Sequence, residues 1–455
     1  MLTALSLEHF KSWRRIKDMR LAPITGLFGS NSSGKTSILQ LLLMLKQTVE
    51  SPDRAQVLNL GNERSSLTAL GTFRDVIHNH ETPGTLRWTL SWTLPQELKV
   101  TDPEQEDATL FSGSDMQFHA EVTENGSGRM IVKKLGYRFA GYDFAMHKSE
   151  AEEKYQLSAE PADFRFKRRT RGRAWDLPAP VKCYGFPDQV RTYHQNAGFL
   201  ADFELAFEEL FSRMYYLGPL RAYPQREYTW AGAQPVDMGW WGEKAIDALL
   251  ASRERGEKIS RGKGHKKLTV EEHVVEWLQK LGLIHSFSVR PITQGSNLYR
   301  VWVRKTSDAA EVLITDVGFG VSQILPVLVL CYYVPEGSIL ILEQPEIHLH
   351  PSVQTGLADV FIDAIKTHKV QILLESHSEY LLRRLQRRIA DETLLKEDAA
   401  LYFCDIVDGV SRLTPLELDM FGNITNWPKD FFGDEFGEMA AATQAVIERK
   451  RRQQA

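Results

Sequence analysis

Cysteine is scarce in this chain of 455 residues: Cys183, Cys331 and Cys404 stand far apart and no CxxC pair occurs. That spacing excludes a disulfide framework and a thiolate zinc site, and it favours a reducing compartment, so a cytoplasmic location is expected. Long apolar runs are missing as well. Nothing approaches the roughly 18 consecutive apolar residues that cross a bilayer, and the opening MLTALSLEHFKSW has no charged leader ahead of an apolar core, so neither a membrane partner nor a secretory signal is expected. Positive charge is not in excess. The formal net charge of −4 rules out a basic coat over the whole surface and leaves local patches to be sought. What is present, 43% hydrophobic and 25% charged residues, is ordinary globular composition in a chain long enough for roughly two to four domains.

Residues 2–8 alternate as a strand, and APITGLFG (22–29) is a short apolar strand that runs into GSNSSGKT. The following SILQLLLMLKQT is apolar nearly all round and is expected to be a buried helix. From about residue 84 to 160 the pattern has period two, punctuated by NGSG, the mark of an antiparallel β-rich section. A helical stripe covers residues 199–214, and Thr269 with Glu272 forms a capping box ahead of another helix. From Val312 onward strands alternate with helices, the pattern of a parallel sheet with crossovers.

GSNSSGKT, Gly29–Thr36, matches GxxxxGK[ST] between a predicted strand and a predicted helix, the context in which the motif acquires meaning. The loop and helix start, Gly29, Asn31, Ser32, Ser33, Gly34, Lys35, Thr36 and Ser37, would cradle phosphates; Lys35 would reach the β and γ oxygens, and the Thr36 hydroxyl would serve Mg2+. In SILILEQPE a buried strand ends in Glu343, an acid placed to hold Mg2+ directly or through water. DVGFGVSQILPVL (316–328) has a Gly318-x-Gly320 turn opening an apolar helix, with Ser322 near its start, where backbone N–H groups can approach an anion closely. In LLESHSEYLL, His377 follows a further strand.

The order of these parts, together with LEHFKSW, EQPEIHLHP and ESHSEYLL, resembles the ATP-binding-cassette (ABC) ATPase heads of the structural-maintenance-of-chromosomes, RecF and overcoming-lysogenisation-defect (OLD) type over residues 1–80 and 310–390. YLGPLRAYPQREY (215–228) and GNITNWPKDFFGDE (422–435) resemble a prokaryotic subgroup of such AAA family ATPases with an uncharacterised C-terminal domain, often found in anti-phage defence systems. The resemblance implies an α/β fold, an ABC-type P-loop ATPase head with an antiparallel β-rich lobe and an inserted mainly helical region. The expected divisions are lobe I at 1–185, the helical insert at 186–310, lobe II with signature, Walker B and switch histidine at 311–400, and a C-terminal domain at 401–455.

By the same resemblance the cofactors are ATP and Mg2+, and two heads pair face to face as a homodimer or within a higher oligomer. Gly318, Gly320 and Ser322 would then touch the γ-phosphate held by the partner's loop, Glu343 and Thr36 would serve the metal, His350–Pro351 would lie in the loop at the seam, and His377 would be the γ-phosphate switch. The chain departs from the family pattern in three ways: the signature is not LSGGQ, the metal acid is Glu rather than Asp, and Gln344 stands where the base is usual. Nor is the glutamine that normally links the two lobes identifiable. Glutamine cannot accept a proton from attacking water but can orient it. Either Glu346, two positions on, is the base, or Gln344 makes hydrolysis slow and the ATP-bound dimer long-lived.

Two cationic runs, FRFKRRTRGRAW (164–175) and RERGEKISRGKGHKK (253–267), are candidate phosphate contacts for a nucleic acid. The chain has no HNH-type cluster and no TOPRIM set of its own. The resulting expectation is an ATPase whose ATP-driven dimerisation senses or clamps nucleic acid and controls a separate effector, a nuclease, in phage defence or DNA repair. The rival is an ATP-held scaffold that sequesters an effector with little turnover.

Overall fold

The computed structural model describes residues 1–62, 66–102, 105–149, 154–170, 175–260, 262, 264, 266–428, 431, 443–446 and 449. At its centre is a six-stranded sheet in the order Val410–Pro415, Ala399–Val407, Ile24–Gly29, Gln371–Glu375, Ile339–Glu343, Met214–Leu217. All its pairings are parallel except that between the first two strands. Ile24–Gly29, Gln371–Glu375 and Ile339–Glu343 are buried at every position, as expected of strands covered by helices on both faces.

Alternation along these strands divides two hydrophobic cores. Ile339, Ile341, Leu373 and Cys404 face one, with the phosphate-loop helix Lys35–Glu50. Leu340, Leu342, Ile372, Leu374 and Phe403 face the other, with the helices Ala245–Arg255, Val270–Lys280, Phe319–Tyr333, Pro351–Thr367 and Glu379–Ala390. The first core continues into a seven-stranded antiparallel sheet built from residues 2–20 and 85–160. The helix Leu200–Ser212 packs there through Phe203 and Phe207 against Phe118, Tyr137 and Phe139. The α/β class with a β-rich antiparallel lobe is therefore as the sequence predicted. The Thr269 capping box also forms: Thr269 Oγ1 accepts from the Glu272 N–H at 3.1 Å, and Glu272 Oε2 accepts from the Thr269 N–H at 2.8 Å.

The later parts of the chain are more closely knit to the central sheet than the expected divisions imply. Besides four helices, the stretch 186–310 supplies the sheet strand Met214–Leu217 and most of a small sheet formed by Tyr228–Thr229, Leu298–Arg304 and Ser286–Pro291, with Val312–Leu313 at its side. Met214–Leu217 and Tyr228–Thr229, of four and two residues, carry too little alternation to be seen in sequence. Ala399–Val407 crosses the expected boundary at 400/401 and pairs along the whole phosphate-loop strand, from Ala399 opposite Ile24 to Cys404 opposite Gly29. Phe431 packs edge-on to Phe28 and Phe403, which ties this region to the same core. Most of the expected domain beyond residue 428, together with Arg171 and Arg173, lies outside the described residues. Among the described residues no helix is long and apolar enough to cross a membrane.

Candidate nucleotide site

The phosphate loop is shaped by what crowds it. At Gly29 (φ +133) a Cβ would lie 2.0 Å from the Cys404 carbonyl oxygen of the neighbouring strand. At Gly34 (φ +91) it would meet Ser411 Oγ, Ser12 Oγ and Trp13 Nε1, all within 2.8 Å. Only glycine fits both places. Trp13 Nε1 donates to the Gly34 carbonyl at 2.9 Å, and Ser32 is left-handed at φ +60. Asn31 and Ser32 are exposed at the rim, whereas Ser33 and Lys35 are buried. The loop thus ends on the N-terminus of a 16-residue helix, the place where backbone N–H groups bind anions.

Lys35 Nζ donates to the Gly29 and Ser30 carbonyls at 3.1 and 2.6 Å. Burial pulls its ammonium below the ordinary lysine range, and Glu375, Cys404 and Glu346 oppose that pull. The ammonium therefore occupies the loop's own carbonyls and has acids within electrostatic reach, ready to exchange onto phosphate oxygens. Thr36 Oγ1 donates to Glu375 Oε2 at 2.7 Å.

Glu375 is the residue that sequence reasoning missed. It ends its strand directly opposite Glu343 in the parallel register, so two buried carboxylates stand side by side. Burial, and next the Glu375 carboxylate, push Glu343 up to about 7, against the Tyr216 hydroxyl and Arg221. Burial likewise raises Glu375, with the Thr36 hydroxyl and Lys35 opposing. The rule that identified Glu343, an acid at the C-terminal end of a buried strand, applies equally to QILLE and was the signal for Glu375. Two carboxylates and the Thr36 hydroxyl are a hard-oxygen donor set suited to Mg2+, which commonly takes one or two carboxylates together with substrate phosphates and water. Among the described residues no group of three His, Cys, Asp or Glu side chains is set to hold a metal, so nucleotide and water oxygens would have to complete the shell.

Tyr216 and Arg221 were also missed as site residues, although they lie within YLGPLR. Tyr216 sits on the edge strand beside Ile341, and its hydroxyl donates to Glu343 Oε1 at 3.1 Å. Beyond Glu343 the chain turns sharply: Gln344 is half-buried and left-handed (φ +44), and its N–H donates to the Glu375 carbonyl at 2.9 Å. Glu346 is buried, and its Oε1 accepts from the His377 N–H at 2.7 Å. Burial raises the Glu346 carboxyl, against the pull of that N–H. The His377 ring is half-buried; burial and then Lys35 lower its pKa, while a bond to the Gly29 backbone opposes them. Glu343, Gln344, Glu346, His377, Lys35 and Thr36 are thus brought to one end of the sheet.

Gly318, Gly320 and Ser322 are placed at the start of the helix Phe319–Tyr333, with Ser322 Oγ donating to the Phe319 carbonyl at 2.8 Å. A Cβ at Gly318 would meet nothing within 4 Å, and at Gly320 nothing nearer than 3.9 Å. The Phe319 ring lies 5.4 Å from His348 and 5.8 Å from Tyr223. His350 caps the next helix, whose first residue is Pro351.

The cationic runs differ. In the first, Phe164 and Phe166 turn into the aromatic core, while Arg165, Lys167, Arg168 and Arg169 are exposed. This extended segment is tied to residues 193–196 by Arg169 N–H to the Tyr193 carbonyl, Gln195 N–H to the Lys167 carbonyl, and Asn196 Nδ2 to the Arg165 carbonyl. It is a fixed cationic strip. In the second run Arg253 grips both oxygens of Glu271, Lys266 pairs with Glu272 and Arg255 pairs with Glu257, while Arg261, Lys263 and His265 lie outside the described residues.

Residues 249–382 match the model of the AAA ATPase domain. That match takes in the glycine-opened helix, Glu343 and His377 but begins after the phosphate loop. Residues 394–441 match a model described as a protein of unknown function (DUF3696). No curated protein matches the chain. Among solved structures the chain is similar to an Smc head bound to the C-winged helix domain of ScpA, at 11% identity over 92% of this chain and 98% of that one, with a TM-score of 0.45. It is also similar to the SMC head domain from Thermotoga maritima (12% identity, 91% and 99% covered, TM-score 0.40). A third is an Smc head domain with an extended coiled coil bound to the C-terminal domain of ScpA derived from Pyrococcus furiosus (10%, 92% and 96%, 0.42).

The crowded acids carry a testable pH dependence. A carboxyl raised from 4.5 to about 7 holds a proton in the folded state where the unfolded chain has lost it, so its contribution to stability is present at low pH and disappears as pH rises through about 7. Glu343→Gln is expected to flatten the fall of the nucleotide-free melting temperature between about pH 5 and 8. Thermal unfolding of both proteins in chelator at stepped pH checks this; parallel profiles would contradict the crowding of Glu343.

Proposed function

We propose that this chain binds and hydrolyses MgATP, that ATP closes two heads face to face, and that the closed dimer clamps or senses nucleic acid and controls a separate effector, a nuclease, in phage defence or DNA repair. The observation that carries the reading is the convergence of Lys35 and Thr36 on the Glu343–Glu375 pair. A phosphate cradle, a hydroxyl and paired acids are the parts that phosphoryl transfer to water requires.

The glycine-opened helix supports the dimer. Glycine in a helix costs about 1 kcal/mol relative to alanine, and nothing in this chain's own packing demands it at Gly320. Room for an approaching phosphate from a second head accounts for it. Leu220, Tyr223 and Phe319 are exposed, and the last two adjoin at this helix start, leaving apolar surface of the kind that marks a contact. Gly320→Asp is expected to leave the fold intact and abolish ATP-dependent association. Sedimentation with and without MgATP reads it, and equal masses for wild type and variant would refute the face-to-face arrangement.

The strip carrying Arg165, Lys167, Arg168 and Arg169 is the proposed nucleic-acid contact. Replacing the four by Gln is expected to weaken binding and flatten its salt dependence, since every phosphate left without its cation takes about 0.7–0.9 off the logarithmic slope. An unaltered slope would dismiss the strip.

A second reading, an ATP-held scaffold with little turnover, is favoured by one feature: the position after Glu343 holds Gln344, fixed in a left-handed turn. The two readings divide on Glu346, which sits beside His377 and within electrostatic reach of Lys35. If Glu346 is the base, Glu346→Gln lowers single-turnover hydrolysis by roughly 10²–10⁴-fold with ATP binding retained, and Gln344→Glu matters less. For the scaffold, Gln344→Glu speeds turnover and Glu346→Gln does little. We expect the first pattern.

A further inference from the structure

Arg221 is buried at 7% exposure, yet Nε, Nη1 and Nη2 all lack a hydrogen-bond partner among the described residues. A guanidinium offers five N–H donors, and leaving a buried cation without acceptors is costly. The position is not a loose end. The loop that carries it leaves the edge strand beside Glu343's strand, and its backbone is pinned on either side by Gly218 N–H to the Trp240 carbonyl at 2.8 Å and Ala222 N–H to the Trp241 carbonyl at 2.9 Å. The charged and titratable groups within its electrostatic reach are Tyr216, Glu343 and Glu346, the same groups that flank the acid pair. None of them bonds to it, although Tyr216 and Glu343 bond to each other. A buried cation aimed at an acid cluster without pairing with it is arranged for an oxyanion that arrives from outside the chain.

Resting on the MgATP reading above, we propose that Arg221 is the ligand of the terminal phosphate, the residue by which this site tells ATP from ADP. Lys35 lies on the phosphate loop and serves whatever phosphates sit there. Arg221 follows the edge strand Met214–Leu217, which lies on the far side of Glu343's strand from the phosphate-loop strand, and the third phosphate is the group proposed to supply its acceptor. Its planar fork suits phosphate oxygens. Binding the terminal phosphate would relieve the unpaired guanidinium and, through the pinned loop, connect the phosphate to Trp240, Trp241 and the exposed Leu220 and Tyr223 at the proposed dimer face.

The test is binding by the full chain with Mg2+, using a non-hydrolysable ATP analogue and ADP, followed by calorimetry. For Arg221→Gln the analogue is expected to bind roughly 10–100-fold more weakly while ADP binding stays within about twofold, from the worth of charged hydrogen bonds. Arg221→Lys, which keeps the charge but not the fork, should give an intermediate ratio. ADP affinity and the melting temperature report folding, and if Arg221→Gln does not fold, the Lys variant carries the test. Equal losses for both nucleotides, or an unchanged ratio in the folded variants, would overturn the proposal. Lys35→Ala separates the two layers: if it abolishes binding of both nucleotides while Arg221 variants keep the wild-type ratio, the ATP reading stands and this inference alone falls. Wild type that binds neither nucleotide removes both.

Discussion

Two carboxylates held side by side inside a protein repel each other and resist losing water, and at the heart of this molecule Glu343 and Glu375 are held that way by the register of adjacent parallel strands. The surroundings read as responses to that crowding. Tyr216 donates a hydroxyl to one acid and Thr36 to the other; Lys35 and Arg221 supply positive charge on either side without forming a closed ion pair with them. A site with this much unsatisfied electrostatics is poorly arranged for stability alone. A dication and phosphate oxygens, as in the proposed MgATP reading, would satisfy the acids and the two cations together.

The same constraint explains the backbone. The acids can share a level only if the strands end together, so the chain must leave each strand end abruptly. Glu343's strand does so with Gln344 in a left-handed turn whose N–H returns to the Glu375 carbonyl. That turn delivers Glu346 to the backbone of His377. Glu346, His377 and the paired acids Glu343 and Glu375 are thus linked through bonds that involve the main chain, and a phosphate that drew Lys35 away from the Gly29 and Ser30 carbonyls would act on the loop that His377 also touches. In the proposed reading, ATP arrival and departure would act through these bonds on the turn bearing Gln344 and Glu346.

Outside this end of the sheet the molecule divides its labour by core. The antiparallel lobe encloses one face of the phosphate-loop helix and carries the cationic strip, whose phenylalanines point inward and whose basic residues point outward. The opposite core packs the glycine-opened helix against its neighbours. The proposed nucleic-acid contact and the proposed pairing face thereby fall on opposite sides of a single sheet.

Local patterns determined much of this. The phosphate loop was legible because a strand, a glycine loop and a helix are contiguous, and their residues must cooperate over eight positions. The α/β class, the β-rich section and the Thr269 cap were legible for the same reason: period and capping are short-range properties. What sequence could not decide was pairing. Glu375 lies 32 positions beyond Glu343 (375 − 343) and becomes its neighbour only through strand register, and Tyr216 reaches Glu343 across 127 positions. Thr36 reaches Glu375 across 339. Residues 186–310 looked like an insert because Met214–Leu217 is too short to announce a strand, and a boundary at 400 looked natural because nothing local shows that Ala399–Val407 will lie beside Ile24–Gly29. Sequence by itself marked out the glycine-rich loop as the candidate phosphate cradle; the tertiary structure decided which distant acids, hydroxyl and arginine stand around it, because hydrogen-bonded register between strands depends on the whole sheet closing around one core.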